Sequence, residues 1–209
     1  MQVLPIGVQD FVSLRERNYL YVDKTPRLLD LIENGERYFL SRPRRFGKSL
    51  MISTLDAMFS GRFELFRGLA AEDWMRKQAD NPAVVLRFDM SSMDSTSNEG
   101  LIQSLRENLI MKAIGYDIEL SSTRLGMMFT ELLIKLNRER GQVVVLIDEY
   151  DKPILDNLSN DKKANEMREA LRSFYTVLKS CDEYLRFVML TGISKFSKRS
   201  SAKWVCFLL

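Results

Sequence analysis

Residues 42–49 constrain the fold of this chain more than any other stretch. They read Arg-Pro-Arg-Arg-Phe-Gly-Lys-Ser and follow a short apolar run, residues 38–40. A phosphate-binding loop needs converging backbone N–H groups, a lysine that reaches the terminal phosphates and a hydroxyl that binds Mg²⁺. Gly47, Lys48 and Ser49 supply the end of that pattern. The sequence therefore predicts a strand, an anion-binding loop and a helix in direct succession.

The loop departs from the usual pattern G-x-x-x-x-G-K-[ST] at its first position. Arg42 stands where the first glycine is expected, so we expect the backbone to follow a different path there. Pro43 fixes its own φ and stiffens the loop. Arg44 and Arg45 either offset phosphate charge or belong to a solvated basic turn, and both interpretations stay open.

The chain contains no histidine among its 209 residues. This excludes a histidine-based catalytic triad, a histidine general base and every zinc site that needs imidazole. The remaining chemistry is that of carboxylates, hydroxyls, lysine, arginine and backbone groups. Phosphoryl transfer suits this set, because its catalysis depends mainly on positioning and electrostatic stabilisation.

Charge and composition further narrow the class of protein to which the chain can belong. A net charge of +3 does not by itself indicate a nucleic-acid partner. No apolar run approaches the roughly 20 residues of a membrane span, and the N-terminus does not read as a signal peptide. Cys181 and Cys206 suggest neither a disulfide framework nor a metal site. We therefore expect a cytoplasmic protein without a membrane partner.

Hydrophobic periodicity predicts short apolar strands that alternate with amphipathic helices. The predicted strands are residues 38–41, 83–88, 143–147 and 185–190. The predicted helices are residues 28–33, 48–59, 98–114, 124–140 and 165–178. Strands separated by helices of this length pair in parallel. We therefore expect an α/β fold of three layers.

A second motif, residues 143–149, is an apolar strand that ends in Asp148 and Glu149. Asp148 can hold the hydration shell of Mg²⁺, and Glu149 can orient and polarise an attacking water. This chemistry needs both carboxylates at the carboxyl end of a strand adjacent to the loop strand, where open sheets bind ligands. A solvated acidic turn is the alternative. The combination with Gly-Lys-Ser favours the ATPase interpretation.

A third apolar strand leads into two hydroxyl residues, Thr191 and Ser194. A polar group at such a position can contact the γ-phosphate or the attacking water. Either hydroxyl can equally well close a strand before a turn at Gly192. Both interpretations stay open for each residue.

Together these motifs resemble the AAA-ATPase-like family. The matching segments are residues 4–11, 21–25, 39–50, 146–153 and 190–198, so the resemblance extends over residues 4–198. It implies a three-layer P-loop NTPase fold with a mostly parallel central sheet flanked by helices. It also implies that Arg42 is part of the family's own form of the loop.

The resemblance assigns ATP and Mg²⁺ as cofactors and gives the site residues roles. Lys48 and Ser49 correspond to the Walker A positions and Asp148 and Glu149 to the Walker B positions. Lys48 and Glu149 are the catalytic candidates, and Ser49 and Asp148 are the metal ligands. The nucleotide-binding set is Arg44, Arg45, Phe46, Gly47, Lys48, Ser49, Leu50, Thr191 and Ser194. A weaker inference from the resemblance places residues 21–25 beside the adenine. Packing of this segment on the core is favoured over that role.

The family often carries a C-terminal PD-(D/E)XK nuclease-like domain. We expect residues 1–198 to form the ATPase domain, whereas residues 199–209 depart from the family, as in a truncated product without lid or nuclease-like domain. One alternative function is a nucleotide-binding module with negligible turnover. Another is the ATPase part of a nucleic-acid-processing protein, with nucleic-acid contacts only through the missing domain. Self-association is left open, and residues 204–209 predict an edge strand or an exposed apolar end.

Overall fold

The computed structural model describes residues 3–78, 80–193 and 205–206. Within them one sheet contains the strands β1 (Arg37–Ser41), β2 (Val85–Asp89), β3 (Val143–Asp148), β4 (Leu185–Gly192) and β5 (Val205–Cys206). The helices are α1 (Phe11–Glu16), α2 (Thr25–Asn34), α3 (Lys48–Phe59), α4 (Glu72–Gln78), α5 (Asn98–Gly115), α6 (Leu125–Arg140), α7 (Lys152–Leu155) and α8 (Asp161–Ser180). In this part of the chain, every helix falls short of the length and apolar character that crossing a bilayer takes.

The strands lie in the order β2-β3-β4-β1-β5, and all of their pairings are parallel. Asp89 is opposite Asp148, and Ser41 is opposite Gly192, so the carboxyl ends of four strands meet at one edge. The expectation that the Asp148 strand adjoins the loop strand is wrong, because β4 lies between β3 and β1. Strand order depends on the crossovers, and hydrophobic periodicity contains no signal for it.

Helices cover both faces of the sheet and divide the core in two. On one face the sheet packs against α5 to α8, with Leu105 and Phe129 among the fully buried residues. On the other face it packs against α1 to α4, with Phe11 and Leu55 fully buried. This confirms the predicted three-layer α/β architecture with a parallel sheet.

Local sequence explains most of the element boundaries. All six residues of β3 are buried, as a strand covered on both faces requires. Helix α6 ends before Gly141, which has a φ of 87°. Helix α8 begins four residues earlier than predicted, because the Asn160 side chain accepts a hydrogen bond from the Lys163 N–H (3.1 Å) and caps it. The short helices α1, α4 and α7 were not predicted, since one or two turns give little periodicity.

The end of the chain contributes to the sheet through two residues. The backbone of Val205–Cys206 pairs in parallel with Tyr38 and Phe39 of β1. An edge strand is therefore formed within the segment 204–209, where one was predicted. The rest of that segment, and residues 199–204 of the predicted tail 199–209, lie outside the described residues.

Candidate nucleotide site

The loop between β1 and α3 turns through two left-handed residues. Arg45 has a φ of 68° and Gly47 a φ of 75°. Alternation of left-handed and right-handed residues turns successive N–H groups toward one side, which forms a concavity suited to anions. The loop leads directly into the first turn of α3, where the N–H groups of the helix are unpaired and its dipole favours negative charge.

Lys48 begins α3 and lies folded against the loop. Its side chain is buried, and its Nζ donates hydrogen bonds to the carbonyl oxygens of Arg42 and Pro43, both at 3.1 Å. A buried ammonium needs such partners, because the desolvation of an unpaired charge is costly. The backbone carbonyl of Arg42 therefore accepts a hydrogen bond from Lys48, and this contact does not depend on the Arg42 side chain.

A cavity of about 290 Å³ opens beside the start of α3 at the carboxyl edge of the sheet. Its wall includes Asp10, Ser49, Arg87, Asp89, Asp148 and Glu149. Ser49 contributes a hydroxyl and Asp148 a carboxylate, the oxygen ligands that Mg²⁺ prefers. The cavity thus brings one residue from the loop motif together with both carboxylates of the second motif.

The Asp148 carboxylate is positioned by a hydrogen bond from Thr191. Both side chains are buried, and the Thr191 hydroxyl donates a hydrogen bond to Oδ1 of Asp148. The Glu149 N–H donates to the same oxygen at 3.1 Å and to the Thr191 hydroxyl at 3.3 Å. These bonds fix one oxygen of the Asp148 carboxylate and leave the carboxylate at the cavity wall. In the structure Thr191 therefore contacts Asp148, and a contact with the γ-phosphate stays a prediction.

Glu149 has an unusual backbone and a perturbed acidity. Its φ is 50°, a left-handed conformation that a non-glycine residue rarely adopts. Burial raises the pKa of its carboxyl group, the Asp148 carboxylate raises it further, and Lys48 opposes the shift. A carboxylate with a raised pKa is a stronger base, so Glu149 is better suited to accept a proton than an exposed glutamate.

The end of β4 joins the loop to the turn that follows β3. On the loop side, the Arg42 N–H donates to the Gly192 carbonyl (3.1 Å) and the Ser41 hydroxyl to the Ile193 carbonyl (2.9 Å). On the other side, the Tyr150 N–H donates to the Thr191 carbonyl (2.9 Å). Because β4 lies between the two motifs, its carboxyl end forms hydrogen bonds to both of them.

The other predicted residues take different positions. Arg44, Arg45 and Phe46 are exposed on the loop, and Leu50 is partly buried against the core. Ser194 lies outside the described residues. The segment 21–25 contacts the core only through Tyr21 and Thr25, whereas Val22, Asp23 and Lys24 are exposed, and a position beside the adenine stays a prediction. Its last residue, Thr25, is fully buried and donates both its N–H (2.8 Å) and its hydroxyl (2.7 Å) to Asp23 Oδ1.

Five residues of the cavity wall were not predicted as site residues: Gln9, Asp10, Arg87, Asp89 and Ser91. Asp89 could have been found, because it ends a predicted strand with a carboxylate just as Asp148 does. Asp10 caps α1 by accepting from the Ser13 N–H (2.8 Å), and it also accepts from the Ser53 hydroxyl (2.7 Å). That second hydrogen bond joins residues 43 positions apart in the sequence, and no local pattern predicts it.

A parallel sheet with a loop of this type after β1 and carboxylates after β3 defines a P-loop NTPase-like protein. The chain belongs to the AAA-ATPase-like family, since the sequence model of that family, described as "Predicted AAA-ATPase", matches residues 5–201. This match confirms the resemblance that the motifs indicated. Membership of the family supports nucleotide binding in general terms.

One curated relative is 45% identical over 202 residues. It is described as "Uncharacterized protein in vnfD 5'region" and comes from Azotobacter chroococcum mcd 1. The alignment covers 94% of this chain and 38% of the relative, so the chain spans well under half of that protein's length. No solved structure gives a significant match.

Proposed function

We propose that this chain binds ATP and hydrolyses it with the help of Mg²⁺. One observation carries the proposal: Ser49 from the loop motif shares the wall of one cavity with Asp148 and Glu149 from the strand motif. These segments are about 100 residues apart in sequence, and the carboxyl edge of a parallel sheet is where such folds bind ligands. The family match is in agreement with a nucleotide as the ligand.

Lys48 is the residue proposed to bind the β- and γ-phosphates. In the structure its ammonium group donates hydrogen bonds to the Arg42 and Pro43 carbonyls. When phosphate enters, the ammonium exchanges one or both of these neutral acceptors for a charged one, which gives a stronger hydrogen bond. Arg44 and Arg45, exposed on the same loop, are proposed to add positive charge near the phosphates, with Phe46, Gly47 and Leu50 shaping the loop.

Ser49 and Asp148 are the residues that would hold Mg²⁺. Magnesium is usually bound by one or two protein carboxylates together with waters and substrate phosphates, so a dedicated cage of acidic side chains is not needed. The two residues fit that role because both reach the cavity wall. When bound, the ion neutralises charge that develops on the transferred phosphoryl group.

Glu149 is proposed to orient the attacking water and to accept its proton. Glu149 lines the cavity, and the raised pKa of its carboxyl group favours proton acceptance. Thr191 then acts on the same reaction indirectly, by fixing the neighbouring Asp148 and the Glu149 N–H. Ser194 is kept as a candidate contact to the γ-phosphate or to the attacking water.

Paired variants test the proposal. Lys48→Ala should weaken ATP binding by about 100-fold, because a charge-assisted hydrogen bond is lost. Glu149→Gln should keep ATP affinity and lower the hydrolysis rate by about 10²- to 10⁴-fold. Lys162→Ala, at an exposed lysine at the start of α8, is the matched control and should leave both quantities unchanged.

Calorimetric titration and phosphate release measure the two quantities separately. Normal ATP affinity in Lys48→Ala would refute the assignment of the loop. Tight binding of ATP by the wild-type chain without phosphate release would instead assign a nucleotide-binding module.

A further inference from the structure

The turn after Glu149 contains a buried carboxylate to which the proposed hydrolysis gives no role. Asp151 is 1% exposed, and its Oδ2 accepts a hydrogen bond from the Ile193 N–H at 2.9 Å. Ile193 is the first residue after β4, 42 positions along the chain. A buried carboxylate is costly unless its hydrogen bonds are satisfied, so its presence here calls for a specific reason.

The residues around Asp151 fit closely against the end of β4. A Cβ placed on Gly192 would lie 2.5 Å from two ring carbons of Tyr150 and 2.8 Å from Oδ1 of Asp151. Only glycine leaves room for this approach. The Tyr175 hydroxyl donates to the Tyr150 carbonyl (3.1 Å), and burial raises the pKa of Tyr175, which keeps this donor protonated.

The same two residues, Gly192 and Ile193, also hold the phosphate loop. Their carbonyls accept from the Arg42 N–H and the Ser41 hydroxyl. The backbone at residues 192–193 is therefore bonded on one side to the start of the loop and on the other to the turn that contains Glu149. A shift of this backbone would change the distance between Lys48 and Glu149.

We propose that Asp151 is a positioning residue: through the Ile193 N–H it fixes the end of β4, and thereby aligns the Glu149 turn with the phosphate loop. The inference rests on the proposed ATP hydrolysis and adds to it a residue that touches neither nucleotide nor metal. Glu149 keeps its strained backbone because the two residues that follow it are anchored. The Tyr150 N–H donates to the Thr191 carbonyl of β4, and the Asp151 side chain accepts from the N–H of Ile193, directly after β4.

Two substitutions at Asp151 separate positioning from general stability. Asp151→Ala removes the acceptor and should lower the single-turnover hydrolysis rate by about 10- to 100-fold, since small misplacements of reacting groups have effects of this size. ATP affinity should stay within about 3-fold, because none of the proposed phosphate ligands is removed. Asp151→Asn keeps an oxygen acceptor for the Ile193 N–H and should restore the rate to within about 3-fold of wild type. Asp161→Ala, at an exposed carboxylate, is the matched control.

The proposal is overturned if Asp151→Ala hydrolyses ATP at the wild-type rate, if its affinity and rate fall by the same factor, or if Asp151→Asn is as slow as Asp151→Ala. Should Asp151→Ala fail to fold, Ile193→Pro removes the donor N–H from the other partner, and its Cδ pushes the Asp151 carboxylate out of contact. It should show the same loss of rate with retained affinity, and a wild-type rate there would equally overturn the proposal.

Amide hydrogen exchange tests the bond without nucleotide. The Ile193 N–H should exchange faster in Asp151→Ala than in wild type and keep its protection in Asp151→Asn. If wild-type protein neither binds nor hydrolyses ATP, the proposed function fails, and the exchange result alone then decides whether Asp151 holds the end of β4. Equal exchange in Asp151→Ala and wild type would refute the positioning role.

Discussion

Thr191→Val is the substitution whose effect follows most directly from the structure. Valine is β-branched like threonine and has nearly the same shape, so the substitution removes the hydroxyl of this fully buried side chain with little change in its volume. Two hydrogen bonds are lost: the one donated to Oδ1 of Asp148, and the weaker one accepted from the Glu149 N–H at 3.3 Å. The Glu149 N–H keeps Asp148 Oδ1 as an acceptor at 3.1 Å.

The magnitude follows from the charge and burial of Asp148. A hydrogen bond to a charged group contributes about 1.5–3 kcal/mol, and a buried carboxylate that loses a donor is not compensated by water. We therefore expect the free energy of unfolding to fall by about 2 kcal/mol. For a chain of this size, 1 kcal/mol corresponds to about 2–4 °C, so the melting temperature should fall by about 4–8 °C.

Thermal and urea unfolding measure this change, with Thr176→Val as the control. The Thr176 hydroxyl donates to the Arg172 carbonyl within α8 (2.7 Å) and is exposed, so its removal should change stability by less than about 0.5 kcal/mol. Hydrolysis should fall as well, because the Asp148 carboxylate becomes free to rotate. A loss of stability no larger in Thr191→Val than in the control would show that the Thr191 hydroxyl does not support Asp148.

Three further substitutions test the packing and electrostatics of the fold. Gly192→Ala should destabilise by about 1–3 kcal/mol because its Cβ has no space, whereas Gly115→Ala, with open space around it, should be neutral or stabilising in urea unfolding. Phe174→Ala should cost about 3–5 kcal/mol, since this buried ring stacks on Phe129 with centroids 4.6 Å apart, and a smaller loss would argue against that stack. Because the folded-state pKa of Glu149 is raised, its ionisation favours the unfolded state as pH rises through the folded pKa. Glu149→Gln should therefore be more stable than wild type at pH 7, with the difference shrinking toward pH 4; a difference independent of pH would contradict the shift.

The fold and part of the candidate site could be predicted from sequence. The loop residues Lys48 and Ser49 and the strand-end carboxylates Asp148 and Glu149 are marked by local patterns, because an apolar strand followed by polar residues has a recognisable sequence. The order of the strands could not be predicted in the same way. The hydrogen bond from the Thr191 hydroxyl to Asp148 was not predicted either, and a contact of Thr191 with the γ-phosphate stays a prediction.

Contacts between segments distant in sequence were missed for the same physical reason. Asp151 reads as one more acidic residue of a turn, and its burial depends on a backbone N–H 42 residues away. The Asp10 carboxylate likewise bonds to Ser53 across 43 residues. Such bonds depend on which strands and helices lie next to each other in the fold. Local sequence patterns do not indicate these neighbours.

The backbone of Glu149 offers a test of how stability and activity are opposed at this site. A left-handed φ of 50° costs a residue with a Cβ about 1–2 kcal/mol, and glycine avoids most of this cost. Glu149→Gly should therefore be more stable than Glu149→Ala by about 1 kcal/mol, after allowance for the greater entropy of glycine in the unfolded chain. Both variants lack the carboxylate and should be equally inactive, so the difference in their melting temperatures isolates the backbone term. If the glycine variant were the less stable of the two, the turn would not be strained, and the anchoring of Tyr150 and Asp151 to β4 would need another explanation than the holding of Glu149 in an unfavourable conformation.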